Sequence, residues 1–224
     1  MRIARLHDWN LSPSAAVALQ RELAPQLIDD QALDFDRLDT IAGIDVSVRG
    51  KAARAAVVVM SYPQLEILET ARATGETAFP YIPGLLAFRE GPVILKALRK
   101  LRCEPGAFIF DGMGQIHPRR MGIAAHLGLW LERPSIGCGK TRYIGDYLEP
   151  GAVKGSRSLL TYRGAQLGVV LRTRSNVKPV FISVGHLADS HSAVRLALDA
   201  TTRYRLPEPI RAAHNLARLP ASND

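Results

Sequence analysis

Apolar positions along the first half of the chain predict one helix followed by three β-strands. Ser12 and Pro13 are typical of a helix N-cap and first helical position, and helix-favouring residues continue to about Leu27. After an acidic connector, three runs with the residue pattern of β-strands predict strands over Thr40–Val48, Ala53–Tyr62 and Leu65–Ala73. Arg49-Gly50-Lys51 and Pro63-Gln64 are short enough to be hairpin turns between these strands, which predicts an antiparallel meander.

The second half begins with a change to helical spacing. From Gly91 onward the apolar residues mark one helix face, and Ala107–Asp111 is then a short apolar run ending in an acid. A helix followed by a buried strand predicts a crossover to a parallel position in the sheet. Further helices are predicted over Ile123–Leu131 and Asp189–Tyr204, and further strands over Ser135–Gly137, Ala165–Leu171 and Val180–Val184. This layout resembles the ribonuclease H-like fold, an α/β fold whose mixed central sheet is flanked by helices.

The composition is typical of one folded domain in a reducing compartment. The 224 residues are 47% hydrophobic without low-complexity tracts, so we expect a single domain over 1–224 with a short disordered end after about residue 218. Cys103 and Cys138 lack C-x-x-C spacing and support neither a disulfide framework nor a zinc site. No signal peptide and no run of the ~20 apolar residues that span a bilayer is visible. We expect a cytoplasmic protein with no membrane partner.

Positive charge is concentrated in one stretch of the chain. The net charge is +8, and residues 112–188 hold 11 Lys and Arg against 3 acids, whereas the rest holds 18 against 18. Such an excess favours a polyanionic partner, the alternative being a solvated basic surface. Because the stretch starts just after Asp111, we expect the positive potential to lie near that residue.

Two acids lie in or directly after apolar strands. Asp45 is in I-A-G-I-D-V-S-V, and Asp111 ends A-F-I-F-D. If the fourth strand lies parallel beside the first, both residues lie near the carboxyl ends of neighbouring strands, where open α/β sheets bind ligands. Two facing carboxylates repel each other and are stabilised by a divalent cation, and oxygen ligands favour magnesium. The alternative is that each aspartate pairs with an arginine or caps a turn.

A proline-bracketed segment precedes the predicted crossover helix. Pro80, Tyr81, Ile82 and Pro83 combine a fixed backbone with bulky apolar side chains. Nucleic-acid enzymes insert such side chains between base steps, which predicts a wedge. The alternative is an ordinary rigid loop with Tyr81 half buried.

The sequence Y-I-P-G-L-L-A-F-R-E-G-P at 81–92 resembles the signature of the endonuclease V family, the enzymes that cleave at deoxyinosine. The other matching motifs, in order, are G-I-D-V-S at 43–47, D-G-M-G-Q-I-H-P-R-R at 111–120, A-H-L-G at 125–128, I-G-C-G-K-T-R at 136–142, I-S-V-G-H at 182–186 and R-L-P-E-P-I-R at 205–211. The resemblance extends from about Leu19 to Ala217, so chance agreement is negligible.

This resemblance implies roles for the matching polar residues. Asp45 and Asp111 correspond to direct magnesium ligands, and Glu90 to the residue that completes the acidic metal site. His214 corresponds to a fourth catalytic residue, and Lys140 to a lysine close to the scissile phosphate. A surface histidine and a surface lysine are the alternatives for these two. Magnesium is the expected cofactor, and manganese is expected to substitute for it.

The resemblance also implies a base pocket and phosphate contacts. Glycine lets the main chain approach a flipped base, and the corresponding positions are Gly84, Gly112, Gly122 and Gly137. The expected contacts to phosphates or carboxylates are His117, Arg119 and Arg120, the arginines being open to a structural ion-pair role. Met113 and Cys138 depart from the residues usual in the family, and these departures bear on the pocket rim and substrate preference.

The implied reaction is magnesium-dependent hydrolysis of the second phosphodiester bond 3′ of deoxyinosine in DNA, leaving a 3′-hydroxyl and a 5′-phosphate, in DNA repair. One or two metals are both compatible with the sequence. Two alternatives stay open: an endoribonuclease acting on inosine in single-stranded RNA, and a catalytically weak binder of distorted nucleic acid. We expect a monomer whose partner is DNA containing deoxyinosine or other deaminated bases.

Overall fold

A mixed sheet of eight strands forms the centre of the protein. The structure is a computed structural model that describes residues 3–220. The strands are β1 (Thr40–Arg49), β2 (Ala52–Ser61), β3 (Ile67–Glu76), β4 (Ala107–Phe110), β5 (Ser135–Gly139), β6 (Arg157–Tyr162), β7 (Ala165–Leu171) and β8 (Val180–His186). Their order in the sheet is β3-β2-β1-β4-β5-β8-β7-β6.

The pairing of the strands confirms the predicted meander and crossover. β1, β2 and β3 are antiparallel neighbours, whereas β4 pairs in parallel with β1, from Ile41 opposite Ala107 to Ile44 opposite Phe110. β5 is parallel to β4, and β8 returns antiparallel to β5. The protein therefore has the mixed α/β sheet of the ribonuclease H-like fold, with the first and fourth strands side by side.

Helices cover both faces of this sheet. They are α1 (Pro13–Leu23), α2 (Leu86–Leu98), α3 (Ile123–Leu131), α4 (Ser190–Asp199) and α5 (Glu208–Arg218). Successive side chains of a strand point to opposite faces of the sheet, so the core has two parts. Ala42 and Phe108 pack with α2 and α3 on one face, whereas Ile41 and Ile109 pack with α4 and α5 on the other. Within residues 3–220, no helix is both long and apolar enough to cross a bilayer.

Several element boundaries differ from the sequence predictions. α2 begins at Leu86 instead of Gly91 and includes Pro92, so the proline-bracketed segment leads almost directly into the helix. α4 ends at Asp199 instead of Tyr204, because the backbone N–H of Glu208 and the side chain of Thr201 bond the last carbonyl groups. α1 ends at Leu23 and a 3-10 turn continues the chain to Gln26.

Two elements were not predicted from the sequence. β6 is an edge strand in which only Leu160 is buried, so its hydrophobic pattern is weak. α5 buries Ile210, Ala213 and Ala217, which do have helical spacing, but alanines give a faint apolar signal. At the C-terminal end, where disorder was predicted after about residue 218, Leu219 and Pro220 accept hydrogen bonds from arginine side chains of β2 and β3, and residues 221–224 lie outside the described residues.

Candidate active site

Two strands and one helix bring an acidic cluster together at the carboxyl end of β4. The backbone N–H of Asp111 donates to the carbonyl oxygen of Ile44, 2.9 Å away, which places Asp111 beside Asp45. One carboxylate oxygen from each aspartate and one ring nitrogen of His214 all lie within 4.8 Å of one another. These three residues, which we call the acidic cluster, are only partly exposed.

His214 reaches the cluster because α5 packs directly on the backbone of β1. A Cβ atom at Gly43 would lie 2.0 Å from the carbonyl carbon of Pro209, so only glycine permits this close approach. His214 Nδ1 then lies 2.7 Å from Asp45 Oδ2. Glycine in a strand two residues before a functional acid is the sequence signal that could have indicated a backbone packed against it.

Burial and mutual repulsion oppose the ionisation of Asp45. Its pKa is raised to about 6, first by burial and next by the charge of Asp111, and the hydrogen bond from His214 only partly offsets this. Asp111 is compensated by Lys140, whose Nζ bonds Asp111 Oδ2. A lysine cation thus lies at the edge of the acidic cluster.

Glu90 lies on α2 beside the acidic cluster but outside the group of donors within 4.8 Å. Its pKa is raised to about 8, mainly by burial and then by Asp45, against the weaker effect of Arg89. No hydrogen bond or ion pair holds its carboxyl group in the described part of the chain, since Arg89 instead donates to the carbonyl oxygens of Phe79 and Gly50. The two carboxylates and the imidazole of the acidic cluster, with the carboxyl group of Glu90 nearby, form a donor set that fits a divalent cation.

A cavity of about 240 Å³ lies next to the acidic cluster. Gly112, which follows Asp111, forms part of its wall, and so do Gly84 and Gly122. The other lining residues are mainly apolar or aromatic: Tyr81, Ile82, Pro83, Leu86, Ala87, Met113, His117, Met121, Ile123, Thr141, Arg142 and Tyr143. Three of the four predicted pocket glycines therefore line one cavity.

Gly137 does not line the cavity but lies behind its wall. A Cβ atom there would be 2.4 Å from the backbone nitrogen of Gly114 and 2.6 Å from the carbonyl oxygen of Gly112. Glycine at 137 therefore lets the loop that follows β4 pack directly on β5. Of the two residues that depart from the family pattern, Met113 lines the cavity, and Cys138 is buried in the core under α4 and α5.

The proline-bracketed segment forms the outer rim of the cavity. The side chain of Tyr81 is 70% exposed, and Pro80 and Pro83 are exposed as well. Ile82 is partly buried and packs against a small cluster that includes Phe79 and Phe88. Tyr81 is thus not half buried, as the alternative interpretation required, and a rigid backbone presents it to solvent.

His117 and Arg119 hold the cavity wall in place. His117 Nε2 and Arg119 Nη2 lie 2.9 and 3.0 Å from the carbonyl oxygen of Gly84. His117 is buried, and burial lowers its pKa to about 4, so the ring is neutral near pH 7. Arg120, which was grouped with them in the sequence, is exposed and donates to the carbonyl oxygen of Gln166.

Gln20 is a further residue of this support that the sequence did not indicate. It is buried on α1, and its Nε2 donates to the carbonyl oxygens of Gly84, at 2.9 Å, and Met121, at 3.0 Å. Its Oε1 accepts from Arg119 Nε at 2.6 Å. A glutamine within the first predicted helix is the only signal in the sequence. This signal does not identify the loop that the side chain holds.

Known proteins resemble this chain over almost its whole length. The sequence profile of the Endonuclease V family matches residues 21–215. The Endonuclease V of Methanothrix thermoacetophila is 48% identical over 217 residues, which cover 97% of this chain and 96% of that protein.

Solved structures agree with this match. The crystal structure of Endonuclease V from Streptomyces avermitilis has a TM-score of 0.91 at 40% identity, covering 97% of this chain and 96% of the other. That of Ciona intestinalis Endonuclease V, in complex with a DNA containing an inosine followed by a ribo-adenosine, has a TM-score of 0.78 at 26% identity, covering 92% and 95% of the two chains. The chain therefore belongs to the endonuclease V family of nucleases.

Proposed function

We propose that the protein is a magnesium-dependent endonuclease that cuts DNA at the second phosphodiester bond 3′ of deoxyinosine, leaving a 3′-hydroxyl and a 5′-phosphate. The observation that carries the proposal is the acidic cluster lying directly beside a cavity with glycines in its wall and the exposed Tyr81 at its rim. A base held in the cavity would leave its own strand passing over the carboxylates. Binding of an inosine-containing DNA by the Ciona intestinalis relative supports the choice of substrate.

In this proposal Asp45, Asp111 and Glu90 hold the cation, and His214 lies beside it. Magnesium, or manganese in its place, suits oxygen donors, and when bound it lowers the pKa of a water molecule and offsets charge on the phosphate. Lys140 already lies against Asp111 and is placed to offset charge that develops on the phosphate during hydrolysis. The imidazole of His214, bonded to Asp45, is placed to accept a proton.

The cavity would hold the flipped base, and Tyr81 would occupy the space that the base leaves in the stack. The wall of Gly84 and Gly112 brings backbone groups close to the base, and hypoxanthine differs from guanine by lacking the 2-amino group. Because His117 and Arg119 bond the carbonyl oxygen of Gly84, we assign them to supporting the pocket and not to direct contact with phosphates. The proposed setting is the cytoplasm, with the protein acting as a monomer in DNA repair.

A second candidate is cleavage of inosine-containing single-stranded RNA. The observation in its favour is that the DNA bound by the Ciona intestinalis relative carries a ribo-adenosine directly after the inosine. The two candidates share the acidic cluster and the cavity and differ only in the sugars next to the cut bond.

The test is cleavage of matched oligonucleotides by wild type and by Asp111→Ala. We expect wild type with magnesium to cut inosine-containing DNA at one bond and to leave unmodified DNA intact, because only the former fits the cavity. Loss of a partner that only supports a metal ligand already costs up to about 100-fold, so Asp111→Ala, which removes a proposed direct ligand, should lower the rate by at least ~100-fold, while the affinity for DNA persists. Asp146→Ala, which removes an exposed acid outside the acidic cluster and the cavity lining, is the matched control.

Each outcome discriminates between the candidates. Exclusive cleavage of the RNA oligonucleotide would replace the DNA assignment by the RNA one. Equal rates for Asp111→Ala and wild type would sink the metal-site assignment, and binding without cleavage by wild type would identify a catalytically weak binder.

A further inference from the structure

A group of aromatic and basic side chains lies outside the cavity lining, on segments that adjoin the acidic cluster. Tyr204, in the segment between α4 and α5, is 43% exposed. The guanidinium carbon of Arg211 lies 4.4 Å from the centroid of its ring, and that of Arg203 lies 5.7 Å away. We call Arg203, Tyr204 and Arg211 the Tyr204 platform. None of them lines the cavity, and none has a role in the reaction proposed above.

The platform is tied to the acidic cluster from two directions. The residue after Tyr204, Arg205, donates through Nη2 to the carbonyl oxygen of Lys140 at 2.5 Å. Arg211 precedes His214 by three residues on α5, which is about 4.5 Å along a helix axis. On the other side of Lys140, the next three residues along the chain line the cavity. Lys140, which bonds Asp111 in the acidic cluster, is therefore linked to the platform through its carbonyl oxygen and to the cavity through the three residues that follow it.

Arg211 is held in place before any ligand binds. Its Nε lies 2.8 Å from Glu208 Oε2, and Thr202 Oγ1 donates to the other oxygen of Glu208 at 2.7 Å. The guanidinium thus supports the Tyr204 ring as a fixed cation. Arg203 is exposed and makes no ion pair with any residue in 3–220. An exposed aromatic ring flanked by two cations has the chemistry of single-strand nucleic-acid binding sites.

We propose that the Tyr204 platform binds the nucleotides on the 3′ side of the cut bond, with a base stacked on Tyr204 and phosphates contacting Arg203 and Arg211. The inference rests on the proposed function, because cutting 3′ of a base held in the cavity directs the downstream strand across the acidic cluster to the platform. Stacking on an aromatic ring tolerates every base. The platform should therefore increase kcat/KM on substrates with a longer downstream strand, without changing which lesion is recognised.

The test compares inosine oligonucleotides that extend by about two or by about eight nucleotides beyond the cut bond. For wild type, we expect kcat/KM to be roughly tenfold higher on the long substrate, the size of one stacking interaction. In Tyr204→Ala this ratio should fall to about one, and Tyr204→Phe, which keeps the ring, should restore it. A ratio in Tyr204→Ala equal to that of wild type, or an equal loss on both lengths, would overturn the proposal.

A matched pair of charge variants checks the phosphate contacts. Arg163 also lies beside a tyrosine, with its guanidinium carbon 5.1 Å from the Tyr162 ring, but at the far edge of the sheet in the β6–β7 turn. Arg203→Ala should lower the length ratio, whereas Arg163→Ala, with the same loss of charge, should match wild type. Equal effects of the two variants would mean that only net charge matters and would contradict a local site.

In the Asp111→Ala variant, the affinities for the long and the short oligonucleotide are measured in place of kcat/KM, and their ratio is compared with and without Tyr204→Ala. This keeps the platform testable if wild type fails to cut, an outcome that would count against the proposed function alone. Extending the oligonucleotide on the 5′ side of inosine provides the polarity control. If Tyr204 increased the affinity for oligonucleotides extended on the 5′ side, and not for those extended on the 3′ side, the proposed path of the strand would be refuted.

Discussion

The packing of Gly137 against the loop after β4 leads to a quantitative prediction. A Cβ atom at 137 would lie 2.4 Å from the backbone nitrogen of Gly114, whereas ordinary contact begins at 3.4 Å, so the loop must move by about 1 Å. Such overpacking costs about 1–3 kcal/mol, which lowers Tm by about 2–12 °C in a protein of this size. Because the loop carries Asp111 and Gly112, a shift of this kind should also lower kcat/KM on inosine DNA by up to about 100-fold.

Gly139 provides the matched control two residues further along β5. A Cβ atom there would meet Sδ and Cε at the end of the Met113 side chain, at 2.7 and 2.2 Å. A flexible side chain can move aside, so Gly139→Ala should cost less than about 1 kcal/mol. Thermal unfolding and cleavage assays on both variants test the reasoning. If Gly137→Ala lowers Tm no more than Gly139→Ala does, or leaves kcat/KM as in wild type, backbone packing behind the cavity does not control the site.

Two further predictions concern charge. Because burial raises the pKa of Glu90 from its ordinary value of 4.5 to about 8, the folded protein without metal retains a proton that the unfolded chain releases. The stability of the folded protein should therefore fall as pH rises from about 5 to 8. Thermal unfolding in the presence of a chelator should show a smaller dependence of stability on pH for Glu90→Gln than for wild type. An unaltered pH dependence in Glu90→Gln would contradict this role of Glu90. Since His117 is neutral near pH 7, His117→Ala should leave the salt dependence of DNA affinity as in wild type. Lys140→Ala should instead reduce the slope of log K against log salt by about 0.9, the value for a lysine that contacts one phosphate. A smaller slope of log K against log salt in His117→Ala would indicate that His117 contacts a phosphate after all.

The central part of the sheet could be predicted because its strands have strong and regular patterns. β1 and β2 are long apolar runs joined by a tight turn, and β4 is a short buried run after a clear helix. Parallel pairing of β4 with β1, as the sequence predicts it, is enough to bring Asp45 and Asp111 together. Their convergence is a consequence of topology, which a hydrophobic pattern can convey.

The rest of the site depends on contacts between residues far apart in the chain. His214 lies 169 residues from Asp45, and it reaches that carboxylate because α5 packs on Gly43, a contact that no local pattern predicts. The support of Gly84 by Gln20 and His117 is likewise formed across 64 and 33 residues. Family resemblance indicated His214 and Glu90 as functional, but only the structure gives the contacts that hold each in place.

Two short segments of backbone connect the cavity with the acidic cluster and with Glu90. One runs from Asp111 into Gly112, so a carboxylate of the acidic cluster and a residue of the cavity wall are adjacent in the chain. The other runs from Gly84 through the first turns of α2 to Glu90. Since His117, Arg119 and Gln20 bond the start of the second segment and β5 packs behind the first, neither can shift alone without breaking buried contacts. In the proposed function, the fold itself would therefore set the distance from the base to the cut bond, and a change that loosens either segment should reduce both the selectivity for the base and the precision of the cut.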